Sequence, residues 1–285
     1  MLRLNFPRLI TAPNSRSVLS LCNQAIKSRQ SPLLFDLSDA QFVTPFGATI
    51  LSGTITTCIE QGKDIRYQKP QNEDVEEWLS SISFSGFFHI DERSARARAT
   101  SIQLRQLKGL NPVFVDDLVG LLDNNMNLSE GVRDSIQLSL YELLINVFDH
   151  SKSDIGCFVC APFTPKSQMI RLSVTDFGIG ILNSLKRVRK YSRLKTCDEA
   201  ITLAVEEGVS SRKGKPAGLG LSHIRRFARV NQGTMTVISG DGKVNFYHRS
   251  IERGPMASMF GGTAIELKIN ADREGFYFLS TENIF

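Results

Sequence analysis

The stretch that decides the fold is Ser129-Glu-Gly-Val-Arg-Asp-Ser-Ile-Gln-Leu-Ser-Leu-Tyr-Glu-Leu-Leu-Ile-Asn-Val-Phe-Asp-His150. Ser129 is a typical N-cap, and the apolar residues behind it predict a long helix that is apolar almost all round and largely buried. Glu142, Asn146 and His150 follow each other at spacings of four, which places them on one helix face. Because burying polar groups without partners is costly, this face predicts either a bound hydrophilic ligand or metal, or a structural polar network. The helix alone favours neither.

A second informative segment is Met169-Ile-Arg-Leu-Ser-Val174, a predicted strand, followed by Thr175-Asp-Phe-Gly-Ile-Gly-Ile181. Asp176 falls where the strand ends, and Gly178 and Gly180 permit a sharp turn with close backbone approach. A carboxylate in this position can accept a hydrogen bond from an exocyclic amine such as that of adenine. The same pattern also fits a simple turn from a strand to a helix.

The third segment is Lys213-Gly-Lys-Pro-Ala-Gly-Leu-Gly-Leu-Ser-His-Ile-Arg225. Its glycines precede a helical pattern, and backbone N–H groups at a helix N-terminus bind anions. Lys213 and Lys215 stand where they can neutralise phosphates. The spacing fits neither the P-loop nor the dinucleotide-binding fingerprint. A fourth segment, Phe260-Gly-Gly-Thr-Ala-Ile-Glu-Leu-Lys-Ile269, predicts a strand opened by Thr263.

These four segments, in this order, resemble the GHKL ATP-binding fold of DNA gyrase, sensor histidine kinases, mismatch-repair ATPases and anti-sigma-factor kinases. The resemblance covers most of residues 97 to 270. It matches the N box, the two glycine boxes and the terminal glycine-threonine motif of the family to Glu142–His150, Asp176–Gly180, Gly218–Leu221 and Gly261–Thr263.

The resemblance implies a role for each matching position. Asn146 would coordinate Mg²⁺, Asp176 would accept from the adenine amine with Thr263 supporting it through water, and Gly180 would let the base approach. Glu142 would be the catalytic residue that orients or deprotonates the attacking group. Residues 181 to 217 would form a mobile lid. The other residues that the resemblance places around the nucleotide are His150, Gly178, Ile181, Lys213, Lys215, Gly218, Leu219, Gly220 and Leu221.

The first 93 residues alternate predicted strands and helices: a strand from Leu2 to Leu9, a helix capped by Asn14 or Ser15 that runs through Lys27, and further elements up to Leu79. The stretch Leu34-Phe-Asp-Leu-Ser-Asp-Ala-Gln-Phe-Val-Thr-Pro-Phe-Gly47 and its following helix resemble a STAS domain, the fold of anti-sigma-factor antagonists. In that family this turn carries a phosphorylated hydroxyl in an Asp-Ser-Ser/Thr-Gly sequence. Here Thr44-Pro-Phe-Gly47 keeps only the glycine, so the resemblance supports the fold and leaves the phosphorylation switch in doubt.

The predicted fold class is α/β (α+β) in two domains. A STAS-like α/β domain over residues 1–93 and a small basic linker at 94–100 precede a GHKL (Bergerat) two-layer α/β sandwich at 97–273, with a tail at 274–285. No apolar run reaches the roughly 18 residues that span a bilayer, and no signal peptide is evident, so we expect a cytoplasmic protein.

Five cysteines, an odd number, suggest free thiols. The Cys157-Phe-Val-Cys160 spacing fits half a zinc site, but residues three apart on a strand face opposite sides. The net charge is +5, and part of the positive excess lies at Lys186–Lys190, where a solvated helix face is expected rather than a nucleic-acid patch.

ATP binding leaves several functions open. No histidine lies between residues 91 and 130, so an acceptor helix of the sensor-kinase type is not expected. The roughly 15 residues after Ile269 are too few for a transducer domain. The sequence therefore predicts an Mg-ATP-binding regulatory protein that works as a nucleotide-dependent protein-interaction switch. The protein that it contacts is left open, and its own STAS-like domain and a homodimer partner are two candidates. A serine/threonine kinase of the anti-sigma-factor type and an ATPase within a larger assembly are the alternatives.

Overall fold

The computed structural model describes residues 1–88, 101–206, 208–209 and 220–271. The predicted linker at 94–100 and the tail at 274–285 lie outside these residues. The chain is mixed α/β, as the sequence predicts, with several sheets. Within the described ranges, none of the helices combines the length and the apolar character needed to cross a membrane.

Residues 1–88 form a parallel sheet of three strands in the order β1-β3-β5, with a second pair, β2 and β4, beside it. The strands are β1 (Leu2–Asn5), β2 (Leu9–Ile10), β3 (Leu33–Asp36), β4 (Phe42–Val43) and β5 (Ile65–Gln68), and the helices are α1 (Ser15–Lys27), α2 (Pro45–Glu60) and α3 (Glu73–Ser81). The predicted end of α1 at Lys27 is confirmed, and Asn14, one of the two predicted N-caps, holds that position. The single strand predicted from Leu2 to Leu9 is wrong, because Pro7, which lacks a backbone N–H to donate, falls between β1 and β2.

Residues 101–271 form an antiparallel five-stranded sheet in the order β6-β7-β8-β10-β9. Its strands are β6 (Ser101–Leu107), β7 (Cys157–Thr164), β8 (Met169–Asp176), β9 (Thr234–Phe246) and β10 (Ile251–Asn270). The helices of this half are α4 (Pro112–Met126), α5 (Glu130–His150), α6 (Gly180–Lys186), α7 (Cys197–Ala204) and α8 (Gly220–Val230).

The sheet has a hydrophobic core on each face. On one face it packs against α4, α5 and α8. On the other face, residues of β6, β7, β9 and β10 share a core with α1, α2 and the rest of residues 1–88. Cys157 belongs to the first core and Cys160 to the second, as the strand geometry predicts. Burial raises the pKa of both thiols.

Helix α5 differs from the sequence prediction on one side. Val132, Leu140 and Val147 are buried against the sheet, but Leu138 is 53% exposed. The prediction that this apolar helix is largely buried therefore does not hold on the side that carries Leu138. The reason is the two-layer packing, which leaves the side of α5 that faces away from the sheet in contact with solvent.

Candidate functional site

A pocket opens between α5, the sheet and α6, at the end of β8. Six of the residues that the sequence singled out for nucleotide binding line it: Asn146, Asp176, Gly180, Ile181, Leu221 and Thr263. They come from all four of the segments described above, with Asp176, Gly180 and Ile181 sharing one of them. The other lining residues are Ser151, Ser184, Leu143, Val147, Val174, Leu185, Ala204, Val209 and Ile265. The walls are thus mainly apolar, with a few polar groups, as is usual for a small-molecule site.

Asp176 is the acidic group of the pocket. It is the last residue of β8, it is only 4% exposed, and its Oδ1 accepts a hydrogen bond of 2.9 Å from the Gly178 N–H. Burial raises its pKa to about 7, although backbone hydrogen bonds from Gly178 and Thr263 oppose the rise. A carboxylate that is buried in the wall of a pocket can accept a hydrogen bond from a bound ligand.

The turn after Asp176 requires its glycines. A Cβ at Gly178 would overlap the carbonyl of Ser151, the residue at the C-terminal end of α5. The neighbouring Ile179 N–H donates to that same carbonyl at 2.7 Å. Gly180 has φ +74°, and a Cβ there would lie 2.8 Å from the Ser239 hydroxyl. The turn is therefore in close contact with the end of α5 on one side and with β9 on the other.

Ser239 on β9 is a residue that the sequence did not single out. Its Oγ accepts from the Ile181 N–H at 2.8 Å and donates to the Gly262 carbonyl at 2.9 Å, and it lies 3.3 Å from the Thr263 Oγ1. It joins the start of α6 to the glycine-threonine segment of β10. No local motif surrounds Ser239, so only the sheet register reveals its place.

Glu142, predicted to be catalytic, lies at the junction of α5 and α8 and not among the lining residues of the pocket. Its carboxylate accepts a hydrogen bond from the Gly220 N–H, the first residue of α8. A Cβ at Gly220 would lie 2.6 Å from the Glu142 Cβ, so the two helices meet closely here. The carboxylate caps the N-terminus of α8, where its negative charge is stabilised by the helix dipole.

Several predicted ligand-binding residues lie outside the described part of the chain. They are Lys213, Lys215, Gly218 and Leu219, together with the side chain of His150. Part of the predicted lid at 181–217 is described. Its α6 and α7 share a small core of Leu185, Tyr191 and Ala200, and Ser184, Ala204 and Val209 line the pocket.

Thr44, the hydroxyl residue of the turn compared above with STAS domains, is the N-cap residue of α2. It is 3% exposed, so its hydroxyl is shielded from solvent in this arrangement.

The pocket has the chemistry of a site for a small, partly polar molecule. It offers apolar walls, one buried carboxylate and one amide side chain. No known protein-family model matches the chain, and a search of curated proteins finds no match. Its function must therefore be inferred from the pocket itself.

Proposed function

We propose that this chain binds ATP with Mg²⁺ in the pocket between α5 and the sheet, and that it is a nucleotide-dependent regulatory protein. The observation that carries the proposal is the convergence of Asn146, Asp176, Gly180, Ile181, Leu221 and Thr263 on one pocket. Residues chosen from separate motifs by their fit to a nucleotide would not be expected to meet in one place by chance.

The base is the part of the ligand that the pocket fits best. Apolar residues such as Val147, Val174 and Ile265 supply faces for a planar ring, and Asp176 lies among them. An exocyclic amine donating to this carboxylate would form a charge-assisted hydrogen bond, worth roughly 1.5–3 kcal/mol. The amine at position 6 distinguishes adenine from hypoxanthine, which carries a carbonyl oxygen there.

Asn146 is the residue that would hold the metal ion. Its amide oxygen is a hard ligand of the kind Mg²⁺ accepts, and it lines the pocket on the α5 side. Mg²⁺ usually retains several waters and binds through one or two protein groups together with phosphate oxygens. A single amide ligand therefore fits an ion that enters with the nucleotide, and the ion would neutralise phosphate charge there.

The regulatory form of the proposal rests on two further observations. The Glu142 carboxylate is engaged by the Gly220 N–H, which favours a capping role over activation of a nucleophile. The sheet that carries the pocket shares its opposite core with residues 1–88, so a nucleotide bound on one face can influence a protein segment on the other.

Incubation with γ-labelled ATP and Mg²⁺ distinguishes a regulatory protein that only binds ATP from a protein kinase and from an ATPase. We expect label to be recovered as intact ATP after binding has been established by calorimetry. Label on protein would show a kinase, and free phosphate that disappears in a Glu142→Gln variant would show an ATPase. Either result would overturn the non-catalytic switch.

A further inference from the structure

Strand β8 presents alternate residues to two different environments. Val174 and Asp176 line the pocket. Ser173, Thr175 and, just after the strand, Phe177 lie on the opposite face, where α2 packs. Since successive side chains of a strand point to opposite sides, the two neighbours of Asp176 both face the N-terminal segment.

The first contact with α2 is a buried cluster of three hydroxyl groups. Thr49 Oγ1 lies 3.0 Å from Ser173 Oγ and 2.9 Å from Thr175 Oγ1, and it donates to the Phe46 carbonyl at 3.1 Å. A hydroxyl has one proton to donate and can accept two. Because a carbonyl can only accept, Thr49 gives its proton to Phe46 and accepts from Ser173 and Thr175. All three hydroxyl residues are fully buried, so this cluster fixes how α2 sits on β8.

The second contact is between Gly53 and Phe177. A Cβ at Gly53 would overlap the Phe177 ring. The ring has little room to move aside, because it packs edge-on against Phe260 and Phe158, with centroid distances of 5.3 and 6.0 Å. Glycine at position 53 is therefore required for this position of Phe177.

The two contacts match in spacing. Thr49 and Gly53 are four residues apart on one face of a helix, which is a rise of about 6 Å. Thr175 and Phe177 are two residues apart in extended chain, about 6.6 Å. Helix α2 thus runs along the end of β8 and holds the residue before Asp176 and the residue after it.

We propose that α2 is a positioning element of the nucleotide pocket, with Thr49 and Gly53 fixing Asp176 from behind the sheet. The inference rests on the proposed function, since it names the chain's own N-terminal segment as the partner that regulates the site. A change at this interface should then alter nucleotide affinity although neither residue lines the pocket. By linkage, nucleotide should in turn stabilise the docking of α2.

The test compares two pairs of variants in the full chain by calorimetric titration with Mg-ATP. Thr49→Val removes the hydroxyl at nearly constant shape, and Thr49→Ser keeps it. Gly53→Ala adds a Cβ against Phe177, and Gly120→Ala makes the same change in helix α4, where nothing lies within 4 Å. We expect Thr49→Val and Gly53→Ala to weaken binding by about five- to fiftyfold, part of the loss that follows removal of the Asp176 contact. Thr49→Ser and Gly120→Ala should bind like wild type.

A second readout separates positioning from general destabilisation. If Asp176 moves from its enclosed place, its pKa falls, and the pH at which ATP affinity declines should shift downward in Thr49→Val. Wild-type affinity and an unchanged pH midpoint in a folded Thr49→Val variant would overturn the inference, whether or not Gly53→Ala folds. If wild-type protein binds no ATP, the proposed function itself fails. The two failures are therefore distinguishable.

Discussion

Asp176 and Phe177 are neighbours in the chain, and their side chains lie on opposite faces of the same sheet. Asp176 lines the pocket, whereas Phe177 packs against Phe260 and meets Gly53 of α2. Any displacement of the backbone at the end of β8 must move both. The pocket and the interface with the N-terminal segment therefore share one short piece of chain.

The pH dependence of stability should reveal the burial of Asp176. Its pKa is raised from 3.8 to about 7 in the ligand-free fold, so its contribution to stability is full below about pH 4 and is lost as pH rises through about 7. At about 1.4 kcal/mol per pH unit, the loss is at most about 4 kcal/mol. The stability of Asp176→Asn relative to wild type should therefore be greater at about pH 8 than at about pH 5. Urea denaturation at both pH values measures this, with the exposed Asp64→Asn as the control.

The same group should make ATP binding depend on pH. The ligand amine requires an ionised acceptor, so below about pH 7 binding must first displace the Asp176 proton. Affinity should then fall by up to about tenfold per pH unit. Calorimetry over a pH series measures the slope. Asp176→Asn in the same series reports the titration of the nucleotide phosphates, and an identical slope in both proteins would argue against contact with Asp176.

Asn146 should matter more for the metal complex than for the free nucleotide. Asn146→Ala removes the amide oxygen from the pocket and leaves the base contacts in place. We expect a loss of at least about tenfold for Mg-ATP, the free-energy equivalent of roughly 1.4 kcal/mol, and a much smaller loss for ATP in EDTA. Equal losses under both conditions would show that Asn146 has no part in metal binding.

Ser239 should support the structure of the pocket, although it is not one of the lining residues. Ser239→Ala removes the hydroxyl that joins Ile181 to Gly262. At about 0.5–1.5 kcal/mol per hydrogen bond, the variant should be about 1–3 kcal/mol less stable in urea denaturation, and ATP affinity should fall because the start of α6 is no longer held. Ser17→Ala, which removes only an exposed hydroxyl bonded to Asn14, is the matched control and should change neither quantity.

The features that could be predicted from the sequence are those with local causes. The extent of α1 to Lys27 and the place of Asp176 at the end of a strand follow from periodicity over a few residues. The break between β1 and β2 at Pro7 also has a local cause. The alternating apolar and polar residues on either side of Pro7 nevertheless predict one continuous strand.

Other features depend on contacts between distant residues. Thr49 and Thr175 are 126 positions apart, and no local pattern links them. The exposed side of α5 at Leu138 depends on the number of layers in the fold. Ser239 reaches the pocket only through the register of β9 with β10. Such relationships can be identified only in the folded structure.

The most direct test of nucleotide recognition is a calorimetric comparison of ATP with inosine triphosphate, in wild type and in Asp176→Asn, with Mg²⁺ present. The two ligands differ at position 6 of the base, where ATP has an amine and inosine triphosphate a carbonyl oxygen. Wild type should prefer ATP by about 10- to 150-fold, the worth of one hydrogen bond to a charged group, and Asp176→Asn should lose most of that preference. Equal affinity of wild type for the two nucleotides, or no binding of either, would contradict the assignment of this pocket to adenine.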